Sequence, residues 1–246
     1  MRRLLIVFFV LSLCSAAFAA HSVAPKKTQP GKSVGVITDL GDVFTLRKVG
    51  IMVFGNEEKE IRIDGWGIND LVVQQVGNAL GKRFSIRRVA YPKGTFDALD
   101  HPKFPLLPMY DQNLKRIVRE LASHQKADFY VVVRKASSQV VNTNQRVSGL
   151  GILERGGVIL YALSEIRVYD GHTFAELKNG VASMGQSTFM ETIMGAIPVH
   201  GPYRRVDRTW WPEPSQAAQS AKLRDATREL VQKSLAATLP GVLTLE

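Results

Sequence analysis

The sequence DFYVVVRK, residues 128–135, is apolar at every position from Phe129 to Val133. An uninterrupted apolar run of this length, between polar residues, is typical of a strand that is covered on both faces. A strand of this kind lies in the interior of a sheet, because its neighbours shield it on every side. We therefore predict that residues 128–135 form a central strand.

Three other segments show the periodicity of amphipathic helices. Residues 68–80 keep helical spacing and stop before Gly81. Residues 111–123 place apolar residues on one face and charged residues on the other. Residues 215–238 begin with a capping serine and stop before Pro240. The sequence therefore predicts three helices, the last of them near the C-terminus.

The remaining β-branched and aromatic segments predict strands. Residues 34–63 hold three of them between turn residues, which favours an N-terminal antiparallel β-meander. Residues 84–91 predict another strand, and residues 158–169 predict a long one that turns at 170–171 into an antiparallel partner over 173–184. The expected fold is α+β (α/β), a single domain with one mixed, largely antiparallel sheet of about five to seven strands.

The N-terminus has the order of a secretory signal. Arg2 and Arg3 come first, an apolar run fills 4–13, and small residues dominate 17–19. This order predicts a signal peptide over residues 1–19 and a periplasmic location. A retained membrane anchor is the alternative, but the apolar run is shorter than the roughly 20 residues that a spanning helix needs.

Cys14 is the only cysteine and lies inside the predicted signal. Lipid attachment there would need a small residue in front of it, and Leu13 is not small, so the lipoprotein form is the weaker alternative. Cleavage would leave a chain with no disulfide and no thiolate. Residues 20–32 then predict a flexible leader, and residues 33–246 a single periplasmic α/β domain.

The formal net charge is +10 at pH 7. A surplus of this size favours contact with anionic surfaces, such as phospholipid headgroups, anionic polysaccharide or an acidic protein face. The positive charge would also attract nucleic acid, but an exported protein seldom meets nucleic acid. We therefore expect no nucleic-acid partner.

The sequence contains no segment with the residue spacing that a known catalytic or ligand-binding motif requires. No Gly-x-Ser-x-Gly occurs, the five histidines never fall at the paired spacing of a zinc helix, and the glycine-rich segments fit neither a phosphate loop nor a dinucleotide fingerprint. Carboxylates beside glycines, such as Asp39 and Asp170, are explained by turn chemistry. We expect no metal and no cofactor, and we assign no catalytic residue.

The segment 184–211 shows no sustained period. It is rich in methionine, aromatic residues and arginine, which are enriched at protein interfaces, and long loops are often binding segments. Two interpretations stay open: the aromatic residues cover a core face, or they form a recognition surface. The candidate partner-binding residues are Met190, Met194, Tyr203, Arg204, Arg205, Arg208, Trp210 and Trp211.

The order of elements over residues 34–239 resembles a recurring periplasmic α/β domain. The resemblance rests on the helix that leads into 128–133, the hairpin 165–177 that turns at 170–171, and the C-terminal helix. That domain occurs in the Tol-system β-propeller protein, the curli secretion channel and the lipoprotein activator of penicillin-binding proteins. The sequence also looks like uncharacterised exported proteins of proteobacteria. The resemblance implies an adaptor that holds a partner protein at the cell envelope, and it carries over no binding residue.

The leading hypothesis is thus a non-catalytic periplasmic binding or scaffold protein whose partner is an envelope protein. The alternative is an envelope hydrolase with a dispersed active site under the segment 184–211. It requires a concave pocket where His172, His200, Glu165 or Asp170 meets a second titratable group. Weak contact with anionic lipid or polysaccharide is a third hypothesis.

Overall fold

The computed structural model describes residues 31–50, 55–100, 107–184 and 198–245. Its strands form two mixed five-stranded sheets and one two-stranded ribbon, which four helices accompany. The predicted α+β class is confirmed. The strands divide between two sheets, however, where the sequence predicted one.

The parallel part of the first sheet consists of β1 (Ser33–Thr38), β4 (Ser85–Arg88) and β5 (Phe129–Lys135), and its antiparallel part of β10 (Ser164–Asp170) and β11 (Glu176–Val181). The strand order is β11-β10-β5-β1-β4. The predicted central strand is confirmed, since β5 is the middle strand and is buried from its second to its sixth residue.

Helices cover both faces of the first sheet. They are α1 (Ile68–Leu80), the single turn α2 (Asp97–Asp100), α3 (Leu107–His124) and α4 (Ala221–Val242). Because side chains alternate along a strand, odd and even positions meet different helices. One face packs against α1 and α4 through residues that include Val34, Val36, Val131 and Val133. The opposite face packs against α3 through Ile37, Tyr130, Val132 and Tyr169.

The second sheet contains β2 (Val43–Lys48), β3 (Glu57–Arg62), β8 (Leu150–Glu154), β9 (Val158–Ala162) and β12 (Tyr203–Val206). Its strand order is β12-β9-β8-β2-β3. The ribbon pairs β6 (Ser137–Gln139) with β7 (Arg146–Ser148). The sequence did not predict β6, β7 or β8.

The N-terminal meander is correct only for the hairpin of β2 and β3. β1 leaves it and pairs in parallel with β4 on one side and with β5 on the other. The reason is burial: all but the first residue of β1 is buried, so the strand needs cover on both faces. A strand that is covered on both faces fits the first sheet and not an exposed meander.

The predicted long strand 158–169 is wrong, because the chain changes sheets at Leu163. There the Leu163 amide donates to the Gly149 carbonyl at 2.8 Å, and the Leu163 carbonyl accepts from Ala136 at 3.1 Å. These bonds satisfy the backbone at the break. β9 therefore belongs to the second sheet and β10 to the first, although both are apolar and adjacent in sequence.

The C-terminal helix also differs at its ends. Ser220 caps it, with a side chain that accepts from the Leu223 amide at 3.3 Å, and Ser215 lies outside it. The helix continues through Pro240 to Val242. A proline so close to the end removes few backbone bonds, which makes it a poor stop signal. Among the described helices, none combines the length and apolar content needed to cross a bilayer.

The two crossover connections of the parallel strands diverge at β1. The chain from β1 to β4 includes α1 on one face, and the chain from β4 to β5 includes α3 on the other. Such a switch point leaves a crevice outside the carboxyl ends of the strands, and ligands of open α/β sheets bind in crevices of this kind.

Candidate functional site

A cavity of about 340 Å³ lies at this switch point. Its lining includes Asp39 directly after β1, Tyr91 after β4 and Lys135 at the end of β5. Residues 94–100, with α2, and the hairpin of β2 and β3 complete the walls. We call this cavity the switch-point crevice.

A buried ion pair lies under the floor of the crevice, and one of its two members, Asp39, lines the cavity. The Arg134 guanidinium donates from Nη2 to Asp39 Oδ2 at 2.7 Å and from Nε to Asp39 Oδ1 at 3.2 Å. Only 1% of the Arg134 side chain and 3% of the Asp39 side chain are exposed. Arg134 also lies 4.5 Å from the ring centroid of Phe96. The Asp39 carboxylate therefore compensates the charge of Arg134, and the guanidinium stacks on the Phe96 ring in the protein interior.

Asp100 joins the floor to the rim. Its Oδ1 accepts from Arg134 at 2.7 Å, and its Oδ2 accepts from Lys135 at 2.7 Å. Two carboxylates, Asp39 and Asp100, thus balance two cations. Burial raises the pKa of Asp39, and the guanidinium opposes that shift. Burial alone would lower the pKa of Arg134, but the carboxylates hold it above its ordinary value, so the pair stays ionised.

The mouth of the crevice is more acidic than its floor. Asp42 accepts from Asn69 Nδ2 at 2.9 Å, and burial raises its pKa. Arg62 is the cation at the mouth, and it pairs with Asp64 at 2.7 Å. The carboxylates of Glu60 and Asp97 accept no hydrogen bond and form no ion pair within the described part of the chain.

Glu165, one of the predicted hydrolase residues, belongs to a neighbouring charge network. The Tyr110 hydroxyl donates to it and accepts from Arg134 Nη1 at 3.3 Å. Arg167 lies 3.3 Å from Glu165 and 2.9 Å from both Asp111 and Glu176. Glu165 does not line the switch-point crevice. Its partners hold it as part of the contact between β10 and α3.

A second cavity, of about 480 Å³, lies at the amino ends of β1 and β5. Here His172 Nε2 is 3.9 Å from Asp128 Oδ1, and the Ser33 hydroxyl donates to Asp128 Oδ2 at 2.7 Å. Hydrogen bonds from the Ser33 amide and hydroxyl lower the pKa of Asp128. His172 therefore meets a second titratable group, as the hydrolase hypothesis requires.

Asp170 and His200 make local contacts. Asp170 Oδ1 accepts from the amides of His172 and Thr173 at 3.0 and 2.7 Å, so the predicted turn role is confirmed. The His200 side chain is exposed, and its amide donates to Ser138 at 2.8 Å. For Asp39 the turn interpretation is wrong, because its side chain is buried against Arg134.

The segment 184–211 has more structure than its sequence predicted. It contains β12 and a 3-10 turn at Arg208–Trp210, capped by Asp207, whose side chain accepts from Thr209 at 2.9 Å. Short elements of this length carry too few residues to show a period. Met190 and Met194 lie outside the described residues.

The tryptophans lie half-buried against the main core. Arg204 lies over the Trp210 ring, 5.2 Å from its centroid, and Lys222 lies over it at 4.1 Å. Arg208 is exposed beside them. The structure thus brings Arg204, Arg208, Trp210 and Trp211 together with Lys222, which the sequence argument missed. We call these five residues the Trp210 surface.

Two other candidates, Tyr203 and Arg205, belong to β12. The Tyr203 ring packs against a smaller apolar cluster that includes Leu153, Ile159 and Tyr161 of the second sheet, so it faces inward in part. Arg205 is exposed. Whether any residue of the predicted set contacts a partner stays a prediction.

No group of three or more His, Cys, Asp or Glu side chains within the described ranges is arranged to hold a metal ion. No protein-family model matches this sequence, and neither does any curated protein.

Some solved structures are similar at low identity. Protein XCC0632 from Xanthomonas campestris is 7% identical, with 88% of each chain covered and a TM-score of 0.39. The LpoB C-terminal domain from Salmonella enterica is 9% identical over 63% of this chain and 84% of that chain, with a TM-score of 0.26. Lipoprotein GNA1162 from Neisseria meningitidis is 10% identical over 67% and 93%, with a TM-score of 0.27.

At TM-scores of 0.26 to 0.39, these likenesses carry no argument about the site. One of the three structures is that of a lipoprotein. The closer comparison with the Tol and curli proteins stays a prediction.

Proposed function

We propose that this chain is a non-catalytic binding protein of the cell envelope, and that it holds an acidic protein partner on the Trp210 surface. The observation that carries the proposal is the pair of cations, Arg204 and Lys222, over the half-buried ring of Trp210. Tryptophan and arginine are, with tyrosine, the residues enriched at binding hot spots.

Charge indicates the nature of the partner. Arg204, Arg208 and Lys222 are exposed on this surface, and the chain as a whole carries +10. Glu229 compensates part of the charge, since it lies 3.2 Å from Arg204 Nη1, but this pair is exposed and weak. An acidic protein face would be steered to the surface and could exchange with Glu229.

The experiment is site-specific photocrosslinking in cells, with the reactive amino acid placed at Thr209. Arg208→Glu and Lys222→Glu should each reduce the yield of the crosslinked partner. Lys178→Glu is the matched control, because Lys178 is an exposed lysine on β11 in the other sheet. Equal yields from the wild type and both surface variants would contradict the proposal.

The hydrolase alternative rests on one observation, the contact of His172 with Asp128 in the second cavity. A serine nucleophile donates its proton to the imidazole, but the Ser33 hydroxyl donates to the carboxylate instead. A carboxylate whose pKa is lowered is a poor base. We therefore favour the binding function. Ester or amide turnover by the purified protein that disappears in Ser33→Ala would reverse this preference.

A further inference from the structure

The amino ends of the parallel strands form a surface that the proposed function does not use. Phe129 begins β5, and Phe84 lies directly before β4. The β10–β11 turn, which contains Phe174, lies beside them, because the Gly171 amide donates to the Asp128 carbonyl at 2.8 Å. The carboxyl ends of α1 and α3 meet the same edge of the sheet, since α1 leads into β4 and α3 into β5.

Each of these three phenylalanine rings is half-buried and carries an exposed cation. The pairs, with the distance from the cation to the ring centroid, are Lys32 on Phe129 at 5.5 Å, Arg83 on Phe84 at 5.9 Å, and Arg119 on Phe174 at 5.4 Å. Stacking of this kind restricts long side chains, so they lose less entropy when they bind. Lys82 and Lys126 are also exposed at this end. We call these five cations and three rings the amino-end face.

The carboxylates at this end are bound by other groups. Asp128 Oδ2 accepts from the Ser33 amide and hydroxyl at 2.6 and 2.7 Å, and Asp128 Oδ1 lies 3.9 Å from His172. Asp170 accepts from backbone amides of its own turn, and Glu176 pairs within the first sheet. Within the described ranges, the cations of this face that form no ion pair are Lys82, Arg83, Arg119 and Lys126. A positive charge therefore remains exposed here.

The second cavity lies on the amino-end face. Arg119 and Lys126 line it together with Tyr130 and Phe174, whose rings stack with their centroids 6.2 Å apart. Its volume is about 480 Å³. Cations beside aromatic and aliphatic side chains suit an amphiphile with an anionic head, because the phosphate meets the cations and the glycerol carbons meet the rings.

The position of this face in the molecule favours a membrane contact. The predicted leader joins the fold here, since the Lys32 carbonyl accepts from the Ser85 amide at 3.0 Å. The Trp210 surface lies at the other end of α1. Trp66, just before α1, donates from Nε1 to the Ala218 carbonyl at 2.7 Å, close to the start of α4. A membrane under the amino-end face would therefore leave the Trp210 surface turned away from it.

We propose that the amino-end face binds an anionic phospholipid surface, with lipid phosphates paired to its cations and one headgroup in the second cavity. Lysine and arginine donate charge-assisted hydrogen bonds to phosphate, and clusters of them bind anionic lipid. A layer of mobile headgroups adapts to cations that are spread over one end of the fold. This face is separate from the Trp210 surface, so neither proposal depends on the other.

The test is cosedimentation of the purified protein with vesicles of phosphatidylcholine alone or of equal parts of phosphatidylcholine and phosphatidylglycerol. We expect the protein to pellet with the anionic vesicles and to stay in solution with the neutral ones. Binding should weaken as salt rises beyond about 0.15 M, where the screening length is near 8 Å. Equal binding to both vesicles, or to neither, would overturn the proposal. Retention of polyglutamate by a protein that ignores both vesicles would indicate an acidic polypeptide instead.

Variants locate the contact. Lys82→Glu combined with Lys126→Glu should weaken binding to the anionic vesicles about tenfold or more, because each lost cation becomes a repelling carboxylate. Lys82→Gln with Lys126→Gln should show a smaller loss in the same direction. A thermal melt verifies that both are folded. Lys59→Glu with Arg146→Glu is the matched control, since both residues are exposed on strands outside the first sheet. An equal loss in this control would show that net charge alone drives binding and overturn the assignment.

Discussion

Arg134 and Asp39 form a bidentate ion pair inside the protein, with the Nη2–Oδ2 and Nε–Oδ1 distances at 2.7 and 3.2 Å. Each side chain is 3% exposed or less. Such a pair is costly to break, because removal of Asp39 leaves the buried guanidinium with Asp100 alone, a carboxylate that it shares with Lys135.

Asp39→Ala should therefore lower the free energy of unfolding by about 3 to 5 kcal/mol. The double variant Asp39→Leu, Arg134→Met should lose less, since it removes both charges together. Urea denaturation followed by circular dichroism measures both values. If the double variant is less stable than Asp39→Ala, the cost lies in packing and not in charge.

Gly171 has no room for a side chain. A Cβ there would lie 1.9 Å from the Ala127 carbonyl oxygen, and the Gly171 amide already donates to Asp128 at 2.8 Å. Gly171→Ala should push the β10–β11 turn away from β5 and lower the melting temperature. Gly157→Ala is the control, because nothing lies within 4 Å of its Cβ position. Equal melting temperatures for the two variants would contradict the close packing.

Val132 lies in the middle of β5 and is 1% exposed. The cations beside that position, Arg134 and Arg167, are already paired with other carboxylates. An added buried carboxylate has no free partner there, so Val132→Asp should cost several kcal/mol, comparable with a whole domain's stability of about 5 to 15 kcal/mol. We expect no cooperative thermal transition. Val181→Asp is the control, since Val181 is 58% exposed on β11 and should melt as the wild type does.

The pH dependence of stability should include a contribution from Asp128. Its folded pKa is lowered from 3.8 by the hydrogen bonds from Ser33. A lowered carboxyl pKa stabilises the fold above the unfolded value, and this contribution disappears as pH falls through the folded pKa. Asp128→Asn should therefore melt below the wild type at pH 7, with a difference that shrinks below pH 3.8. A constant difference across that range would show a packing effect instead.

Substitution of the two tryptophans distinguishes between the two interpretations of the segment 184–211, core cover and recognition surface. Both pack half-buried against the main core, so Trp210→Ala with Trp211→Ala should lower the free energy of unfolding by about 3 kcal/mol. Thermal and chemical denaturation measure the loss. An unchanged melting temperature would instead indicate a solvent-facing recognition pair. A large drop would favour the core-cover interpretation, and these residues would then leave the set of candidate partner-binding residues.

Periodicity predicted the elements that carry a full hydrophobic repeat. α1 begins and ends where its spacing indicates, and β5 is central because an apolar run needs cover on two faces. The ribbon β6–β7 has three residues per strand, which is too short for an alternation to stand out. The division into two sheets also escaped prediction, since the change at Leu163 depends on distant backbone partners.

The crevice escaped prediction for a related reason. Asp39 and Arg134 are 95 positions apart. Asp39 directly follows β1, and Arg134 is the sixth of the seven residues of β5, so each is locally the polar end of an apolar run. Their contact arises because β1 and β5 are parallel neighbours whose carboxyl ends meet. A charged residue at the carboxyl end of a buried apolar run was the available signal. This signal identifies the crevice only when the strand order is known, because the order shows which strand ends meet.

The position of β1 between two later strands affects how the chain folds. The Ser33 amide donates to Asp128 Oδ2 at 2.6 Å, across 95 residues of sequence. In the second sheet, one edge of β2 can pair only after β8 has been synthesised. Domains dominated by such distant pairings fold slowly, because loop closure must precede the contacts that reward it. This chain should remain unfolded until β5 has been synthesised, and a protein with that delay stays available to secretion machinery and chaperones that accept only unfolded chains.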